Sequence, residues 1–318
     1  QIQYFKVTQY FFFKQWTELK NYANQKGIQI IGDMPIYVAA DSVEVWTKPE
    51  LFQLDEERNP LFVAGVPADQ FSATGQLWGN PLYAWEEHKK QGYAWWIHRI
   101  EESFKIYDVL RIDHFKGFSD YWQVDGKAEV AKDGSWQPGP GYDLFKAVKE
   151  QLGDLPIIAE DLGNIDEKAR KLLTDCNYPG MKILQFGFED VSGESLDSPH
   201  YCIPHSIVYT GTHDNDVTNG WYNSLTEQQQ QYINDYTHRH EDESICQAMI
   251  RQLFATVSNT TIATMQDVLD LPASSRMNVP STIGGNWQWR MQQSDLTQDK
   301  KDFLEKMTTL YQRANQEK

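Results

Sequence analysis

The sequence predicts an α/β protein in which crossover helices join the strands of a parallel sheet, and two observations support this fold class. Six short apolar segments are typical of strands buried on both faces, and helical stretches separate most of them. These segments are residues 28–31, 109–112, 156–159, 182–186, 207–209 and 261–265. The length of 318 residues also accommodates a (β/α)8 barrel, which needs ~250 residues, together with insertions.

Helical periodicity predicts the helices that accompany these strands. Over residues 9–26 the apolar side chains recur at helical spacing, and Gly27 follows where such a helix ends. The aromatic cluster at residues 10–13 is predicted to form the buried face of this helix. Further helices are predicted over residues 142–152, 165–175 and 225–257.

Acidic residues follow three of the predicted strands: Asp113, Glu160 and Asp214. In barrels of parallel strands, catalytic groups lie at the carboxyl ends of the strands. Paired parallel strands lie ~4.7–4.9 Å apart, so Asp113 and Glu160, which follow consecutive strands, can hold their carboxyl groups ~5–5.5 Å apart. Retaining glycosidases use that separation for a nucleophile and an acid/base.

The neighbouring residues suit these roles. Arg111 lies two residues before Asp113 on the same face of the strand, and its charge favours an ionised nucleophile. Glu160 follows an apolar strand, so partial desolvation is expected to keep it protonated for proton donation. Asp214 is predicted to stabilise an oxocarbenium-like transition state, and His213 to bind a sugar hydroxyl. Taken singly, each acidic residue is better explained as a helix cap or turn residue.

Aromatic residues make up 13% of the chain, including 11 Trp, and many lie in a long segment from about residue 33 to residue 107. We predict that this segment is an inserted subdomain of substrate-binding loops, because such long loops are commonly functional. Trp78 lies between glycines, which suits a ring presented to a sugar. Asp69, Gln76 and Asn80 are predicted to bind the sugar hydroxyls. The alternative is that Trp78 only packs the loop onto the sheet.

The composition and motifs disfavour several functional classes. The 29 basic and 45 acidic residues give a net charge of −16, which repels nucleic acids. The three cysteines form no CxxC pair, which favours a reducing cytoplasm. No apolar run approaches the ~20 residues of a membrane span, so no membrane association is predicted. The chain has no phosphate-binding loop, metal-loop spacing or GxSxG motif, so neither a nucleotide site, a metal site nor serine-hydrolase chemistry is predicted.

Seven segments carry a more specific pattern and together extend over essentially the whole chain. They are residues 31–38 (IGDMPIYV), 65–71 (GVPADQF), 75–83 (GQLWGNPLY), 111–115 (RIDHF), 159–163 (AEDLG), 179–186 (PGMKILQF) and 209–216 (YTGTHDND). Together they resemble the 4-α-glucanotransferases of glycoside hydrolase family 77, also called amylomaltases or disproportionating enzymes.

The resemblance implies a (β/α)8 TIM barrel with long inserted loops, retaining stereochemistry, no cofactor, and maltooligosaccharides and linear α-1,4-glucans as substrates. It implies that Asp113 is the nucleophile, Glu160 the acid/base and Asp214 the transition-state stabiliser. The residues implied to support or bind the sugar are Arg111, His213, Tyr37, Asp69, Gln76 and Trp78.

The chain also departs from the family pattern. Lys116 stands where Arg is usual, Ala68 where Pro is common, and Ser281 where Gly is more frequent. Residues 1–318 are predicted to form the catalytic barrel from its third to its eighth strand, without the first two. A second polypeptide is one source of the missing part. Two alternatives remain: an amylase-type α-glucan hydrolase, and a non-catalytic glucan-binding fragment.

Overall fold

A computed structural model describes residues 1–68, 73–163 and 165–314, and the fold is of the α/β class. The chain divides into two compact units, Gln1–Gly180 and Met181–Lys318. The strands of the first unit are β1 (Ile31–Met34), β2 (Phe62–Val66), β3 (Gln76–Pro81), β4 (Val109–Ile112), β5 (Asp120–Asp125), β6 (Ser135–Pro138) and β7 (Ile157–Ala159). Its helices are α1 (Ile2–Gln25), α2 (Val43–Thr47), α3 (Trp85–Lys90), α4 (Ala94–Ile106), α5 (Tyr142–Leu152) and α6 (Glu167–Cys176).

A three-stranded parallel sheet, in the order β1-β4-β7, carries the carboxyl ends that matter for the site. Strand β4 has the predicted bounds, and β7 begins one residue later than predicted. Strand β1 begins at Ile31, three residues after the start of the predicted segment, and its register places Asp33 opposite Arg111. In the same sheet Ile112 pairs with Ala159, so Asp113 and Glu160 follow adjacent paired strands.

The aromatic segment folds into regular structure rather than one long loop. It contains α2, β2, β3, α3 and α4, and β2 and β3 join β5 and β6 in an antiparallel sheet of order β3-β2-β5-β6. The limits of an inserted subdomain, about 33–107, stay a prediction. Much of the aromatic content is structural, since the largest fully buried side chains of this unit are aromatic: Trp96, Tyr83, Phe115 and Phe118.

Helix α1 corrects two predictions. It begins at Ile2, seven residues before the predicted start, and its Phe11, Phe12 and Phe13 side chains are about half exposed instead of buried. The periodicity predicts the helix correctly, but burial also requires a partner surface. Within the part of the chain that the structure describes, that partner lies at the C-terminal half of α1, where Trp16 donates to the Ile106 carbonyl at 2.8 Å. A row of exposed aromatic rings on one helix commonly marks an interaction surface.

The second unit contains a sheet of order β10-β9-β8, in which β9 and β10 are parallel. Its strands are β8 (Gly180–Ile183), β9 (Ser206–Tyr209) and β10 (Thr260–Ile262). Its helices are α7 (Leu184–Gly187), α8 (Thr218–Ser224), α9 (Glu227–Thr237), α10 (Ile245–Ala255), α11 (Met265–Val268) and α12 (Gln298–Leu310). The core includes Val208, Met249 and Leu253.

Three secondary-structure predictions in this unit are wrong in part. The predicted strand at 261–265 ends at Ile262, and Met265 already begins α11. The predicted strand at 182–186 ends at Ile183 and continues as α7, because a short apolar run does not distinguish a buried strand from a buried helical turn. The predicted helix 225–257 is two helices. His238 ends α9 in the left-handed region, with φ of 49°, and Ser244 begins α10 with a capping box.

Among the residues that the structure describes, none of the helices combines the length and the apolar character that a bilayer crossing requires.

Candidate active site

Arg111 lies between two carboxylates at the carboxyl end of β4. Its Nη1 donates to Asp33 Oδ1 at 2.6 Å and to Asp113 Oδ1 at 2.8 Å, and the side chain is buried. Burial alone would lower the pKa of the guanidinium, but the negative charges of Asp33 and Asp113 outweigh it, so the pKa rises above its usual value. Arg111 therefore stays cationic and neutralises the carboxylates beside it.

Two backbone N–H groups hold Glu160 after β7. The N–H of His114 donates to Oε2 and the N–H of Leu162 donates to Oε1, both at 2.7 Å. His114 adopts the left-handed region with φ of 51°, a conformation uncommon for histidine. This turn aims the His114 N–H at Glu160, one strand away from the end of β4. The left-handed conformation of His114 therefore positions a hydrogen-bond donor for Glu160.

Burial and the negative charge of Asp113 raise the pKa of Glu160 to about 7, while Arg111 and the two backbone donors act in the opposite direction. The raised pKa agrees with the expectation from its apolar strand. Burial also lowers the pKa of the His114 imidazole to about 4, so this ring is neutral at pH 7. Asp113, bound by Arg111, and Glu160, whose pKa is raised, thus follow neighbouring strands.

Trp78 contacts His114, the residue whose N–H binds Glu160. Its ring contacts the His114 ring edge to face, with centroids 4.8 Å apart, and 37% of the residue is exposed. The indole Nε1 donates to Gln76 Oε1 at 3.3 Å. Tyr37 packs near Trp78 with centroids 6.2 Å apart, but it is buried, and burial raises the pKa of its hydroxyl. Trp78 therefore presents a ring at the surface, with Tyr37 beneath it.

Of the two remaining predicted sugar-binding residues, Asn80 and Asp69, the structure describes only Asn80. Asn80 Nδ2 donates to the Val38 carbonyl at 3.0 Å, so this amide holds β3 against the segment after β1. Asp69 lies outside the described residues.

The predicted residues of the second unit are held by a loop that the sequence patterns did not single out as part of the site. His213 Nε2 is 3.2 Å from Asp214 Oδ2, and Asn278 Nδ2 donates to Asp214 Oδ1 at 2.6 Å. Arg276 Nη2 donates to the Asp214 carbonyl at 2.6 Å, and the Asn278 N–H donates to the His213 carbonyl at 3.1 Å. Three hydrogen bonds from Arg276 and Asn278 thus fix Asp214 and its neighbour His213.

A buried carboxylate supports the loop that carries Asp214. Asp267 accepts from Thr210 Oγ1 at 2.6 Å and from the Thr218 N–H at 2.8 Å. It therefore ties the end of β9 to the start of α8. Gln185 Nε2 also donates to the Asp216 carbonyl at 2.9 Å. These contacts fix both ends of the segment between β9 and α8.

The backbone conformation of Ser281 explains why glycine is more frequent at this position in the family pattern, and it leads to a stability prediction. Its φ is 63°, in the left-handed region where glycine is unstrained. We expect Ser281→Gly to raise the free energy of unfolding by about 0.5 kcal/mol, because relief of backbone strain exceeds the entropy cost of glycine. Exposed Ser274, in a 3-10 turn without positive φ, is the control, and Ser274→Gly should lower it by about 0.5 kcal/mol. Equal losses for both variants in urea unfolding would contradict the assignment.

Comparison with known families decides the assignment of the chain. The profile of glycoside hydrolase family 77, described as 4-alpha-glucanotransferase, matches residues 1–297. The chain belongs to this family. A 4-alpha-glucanotransferase of Streptococcus pneumoniae is 52% identical over 317 residues, which cover 99% of this family 77 chain and 63% of the relative. The enzyme of that name from Thermus thermophilus is 43% identical over 305 residues.

Solved structures agree with the family 77 assignment. An amylomaltase from Streptococcus agalactiae in complex with acarbose is 61% identical, with a TM-score of 0.97 over 99% of this chain and 63% of that one. An amylomaltase from Corynebacterium glutamicum, at 15% identity and a TM-score of 0.69, shares the fold. The resemblance and the α/β class predicted from the sequence are confirmed. The family 77 chain spans about 63% of the length of these relatives.

Proposed function

We propose that this chain is the larger part of a retaining 4-α-glucanotransferase, which transfers α-1,4-linked glucan segments from a donor maltooligosaccharide to the 4-hydroxyl of an acceptor glucan or glucose. The observation that carries the proposal is the pairing of Asp113, bound by Arg111, with Glu160, whose pKa is raised to about 7, on adjacent strands. Family membership and the acarbose complex of a relative support the same substrate class.

Asp113 is the nucleophile in this mechanism. Arg111 binds its carboxylate, which attacks the anomeric carbon while Glu160 protonates the departing glycosidic oxygen. A covalent glycosyl–enzyme results. Glu160, now a carboxylate, takes the proton from the acceptor 4-hydroxyl, which attacks the anomeric carbon and releases Asp113. Transfer exceeds hydrolysis because acceptor sugars stacked on Trp78 exclude water from the intermediate.

We assign the remaining roles from the family pattern and from local contacts. Asp214 stabilises the positive charge of the transition state, and His213, 3.2 Å from its carboxylate, binds a sugar hydroxyl. The residues proposed to bind the glucan are Arg111, Tyr37, Asp69, Gln76, Trp78 and Asn80. The segment of residues 33–107 is proposed as the inserted substrate-binding subdomain, and neither a cofactor nor a metal is proposed.

We further propose that the sheets belong to a TIM barrel whose first two strands are supplied by an additional segment, from the same or a second polypeptide. Strand β1 is an edge strand among the described residues, and an open edge accepts a further strand. The exposed aromatic rings of α1 offer a second surface to the same segment. The three free cysteines support a reducing cytoplasm.

Maltotriose incubation tests the proposed activity. The chain is assayed alone and with the upstream region of the Streptococcus agalactiae amylomaltase, and the products are separated by size. A ladder of longer maltooligosaccharides with free glucose is expected. A net gain of reducing ends without longer products would identify a hydrolase. Glucan binding without turnover in both forms would identify a binding fragment.

Asn278 provides a further prediction for the second unit. Asn278→Ala removes the hydrogen bond to Asp214 Oδ1, and we expect kcat/KM for maltotriose to fall about 10- to 100-fold, because hydrogen bonds to charged groups are strong. Asn223→Ala, at an exposed position in α8, is the control and should retain the wild-type kcat/KM. Wild-type kcat/KM in Asn278→Ala at unchanged thermal stability would exclude this role.

A further inference from the structure

Trp287 combines exposure with an unfavourable backbone conformation. The residue is 60% exposed, although tryptophan is usually largely buried. Its φ is 61°, in the left-handed region, where a bulky residue is an outlier. Residues held in such conformations cost ~1–3 kcal/mol and persist where the surrounding structure fixes them. The left-handed backbone at Trp287 therefore costs free energy, and the exposure of the indole to solvent gives no reason for that cost.

The loop that carries Trp287 is closed by its own hydrogen bonds. The Trp287 N–H donates to the Met277 carbonyl at 2.7 Å, and the Val279 N–H donates to Asn286 Oδ1 at 3.0 Å. Gly284 and Gly285 take φ values of 83° and 77°, and a side chain at either position would enter open space. The segment 276–287 is thus a compact loop with two glycines that allow its reversal.

This loop brings the indole to the predicted catalytic residues of the second unit. The rings of Trp287 and His213 have centroids 5.0 Å apart and an interplanar angle of 43°. Asn278 and Arg276 of the same loop donate to Asp214. One segment therefore fixes the position of the acidic residue and places an exposed aromatic ring beside it.

We propose that Trp287 is a sugar-contacting residue that contributes to substrate specificity, and that its indole stacks on the C–H face of a glucose unit bound beside His213. The proposal rests on the proposed function for the substrate class. A glucan is neutral, with an apolar ring face and polar edges. An exposed indole binds that face, and nearby polar groups such as the His213 imidazole bind the hydroxyls.

The experiment compares Trp287→Ala and Trp287→Phe with Trp136→Ala, which removes a tryptophan that is 44% exposed in β6, outside the segment of residues 33–107. KM and kcat are measured for maltotriose and maltoheptaose, with thermal stability recorded for each variant. We expect Trp287→Ala to raise KM about tenfold at nearly unchanged kcat, as loss of uniform binding predicts. Trp287→Phe should recover most of the affinity, and Trp136→Ala should match the wild type.

The outcomes separate this proposal from the proposed function. An unchanged KM in Trp287→Ala, or a loss confined to kcat and thermal stability, overturns the stacking role. If no form of the chain transfers glucan, the proposed function fails, and quenching of intrinsic fluorescence by maltoheptaose then decides the stacking role. Weaker maltoheptaose binding in Trp287→Ala than in Trp136→Ala supports it, and equal binding overturns it.

Discussion

Asp113→Asn is expected to reduce glucan transfer by about 10⁴-fold or more, because the variant lacks the group that forms the covalent bond to the sugar. The amide retains the size of the carboxylate, and Arg111 still has Asp33 as an ionic partner at 2.6 Å. The fold should therefore remain intact, and a near-native unfolding curve is part of the prediction. The loss is measured as kcat/KM for maltotriose disproportionation.

Asp33→Asn is the matched control for this substitution. It removes the other carboxylate bound by the same Arg111 Nη1 atom but leaves the nucleophile in place. We expect a loss of only about tenfold, from a weaker hold on Arg111. Equal losses in the two variants would mean that the charge cluster, and not Asp113 as nucleophile, accounts for the effect.

Trapping of the intermediate tests the nucleophile directly. A 5-fluoroglycosyl fluoride forms a glycosyl–enzyme quickly, and water cleaves this intermediate slowly. The modified peptide can therefore be isolated. Mass spectrometry should locate the added sugar on Asp113 in the wild type and find none in Asp113→Asn. A label on Asp33 or on Glu160 would contradict the assignment.

The sequence is informative about this site because the strands that carry it are short, apolar and regular. The predicted pairing of the strands before Asp113 and Glu160 matches the pairing of Ile112 with Ala159. The apolar run predicts a strand that ends at residue 31, three residues before β1 ends, so it does not identify Asp33 as a partner of Arg111. The register of a parallel pair, not the local pattern, places Asp33 opposite Arg111.

The loop of residues 276–287 shows what local patterns cannot provide. Its contact with Asp214 joins residues 62 and 64 positions apart, and nothing in its own sequence is periodic. Ser281 and Trp287 of this loop also adopt left-handed conformations, which residues with a side chain rarely take and which the sequence pattern does not predict. Helix α1 shows the complementary case, in which periodicity predicts the helix but only a partner surface decides which side chains are buried.

Glu160→Gln is expected to reduce kcat/KM for maltotriose by about 10²- to 10⁴-fold, the usual contribution of general acid–base catalysis. The pKa of Glu160 is raised to about 7, so the wild-type group is protonated below that pH and loses its proton above it. Proton donation to the leaving oxygen needs the protonated form. Wild-type kcat/KM should therefore fall as the pH rises through about 7, and Glu160→Gln should lack this alkaline decrease.

A substrate that needs no proton separates this role from that of Asp113. Fluoride leaves from α-maltosyl fluoride without protonation, so Glu160→Gln should still form the glycosyl–enzyme from it, whereas Asp113→Asn should not. Glu167→Gln, at an exposed residue in the first turn of α6, is the control and should keep the wild-type pH profile. If Glu160→Gln were as slow as Asp113→Asn with the fluoride, Glu160 would have to act on the nucleophile or on sugar binding. That result would contradict the separate roles proposed for the two carboxyl groups.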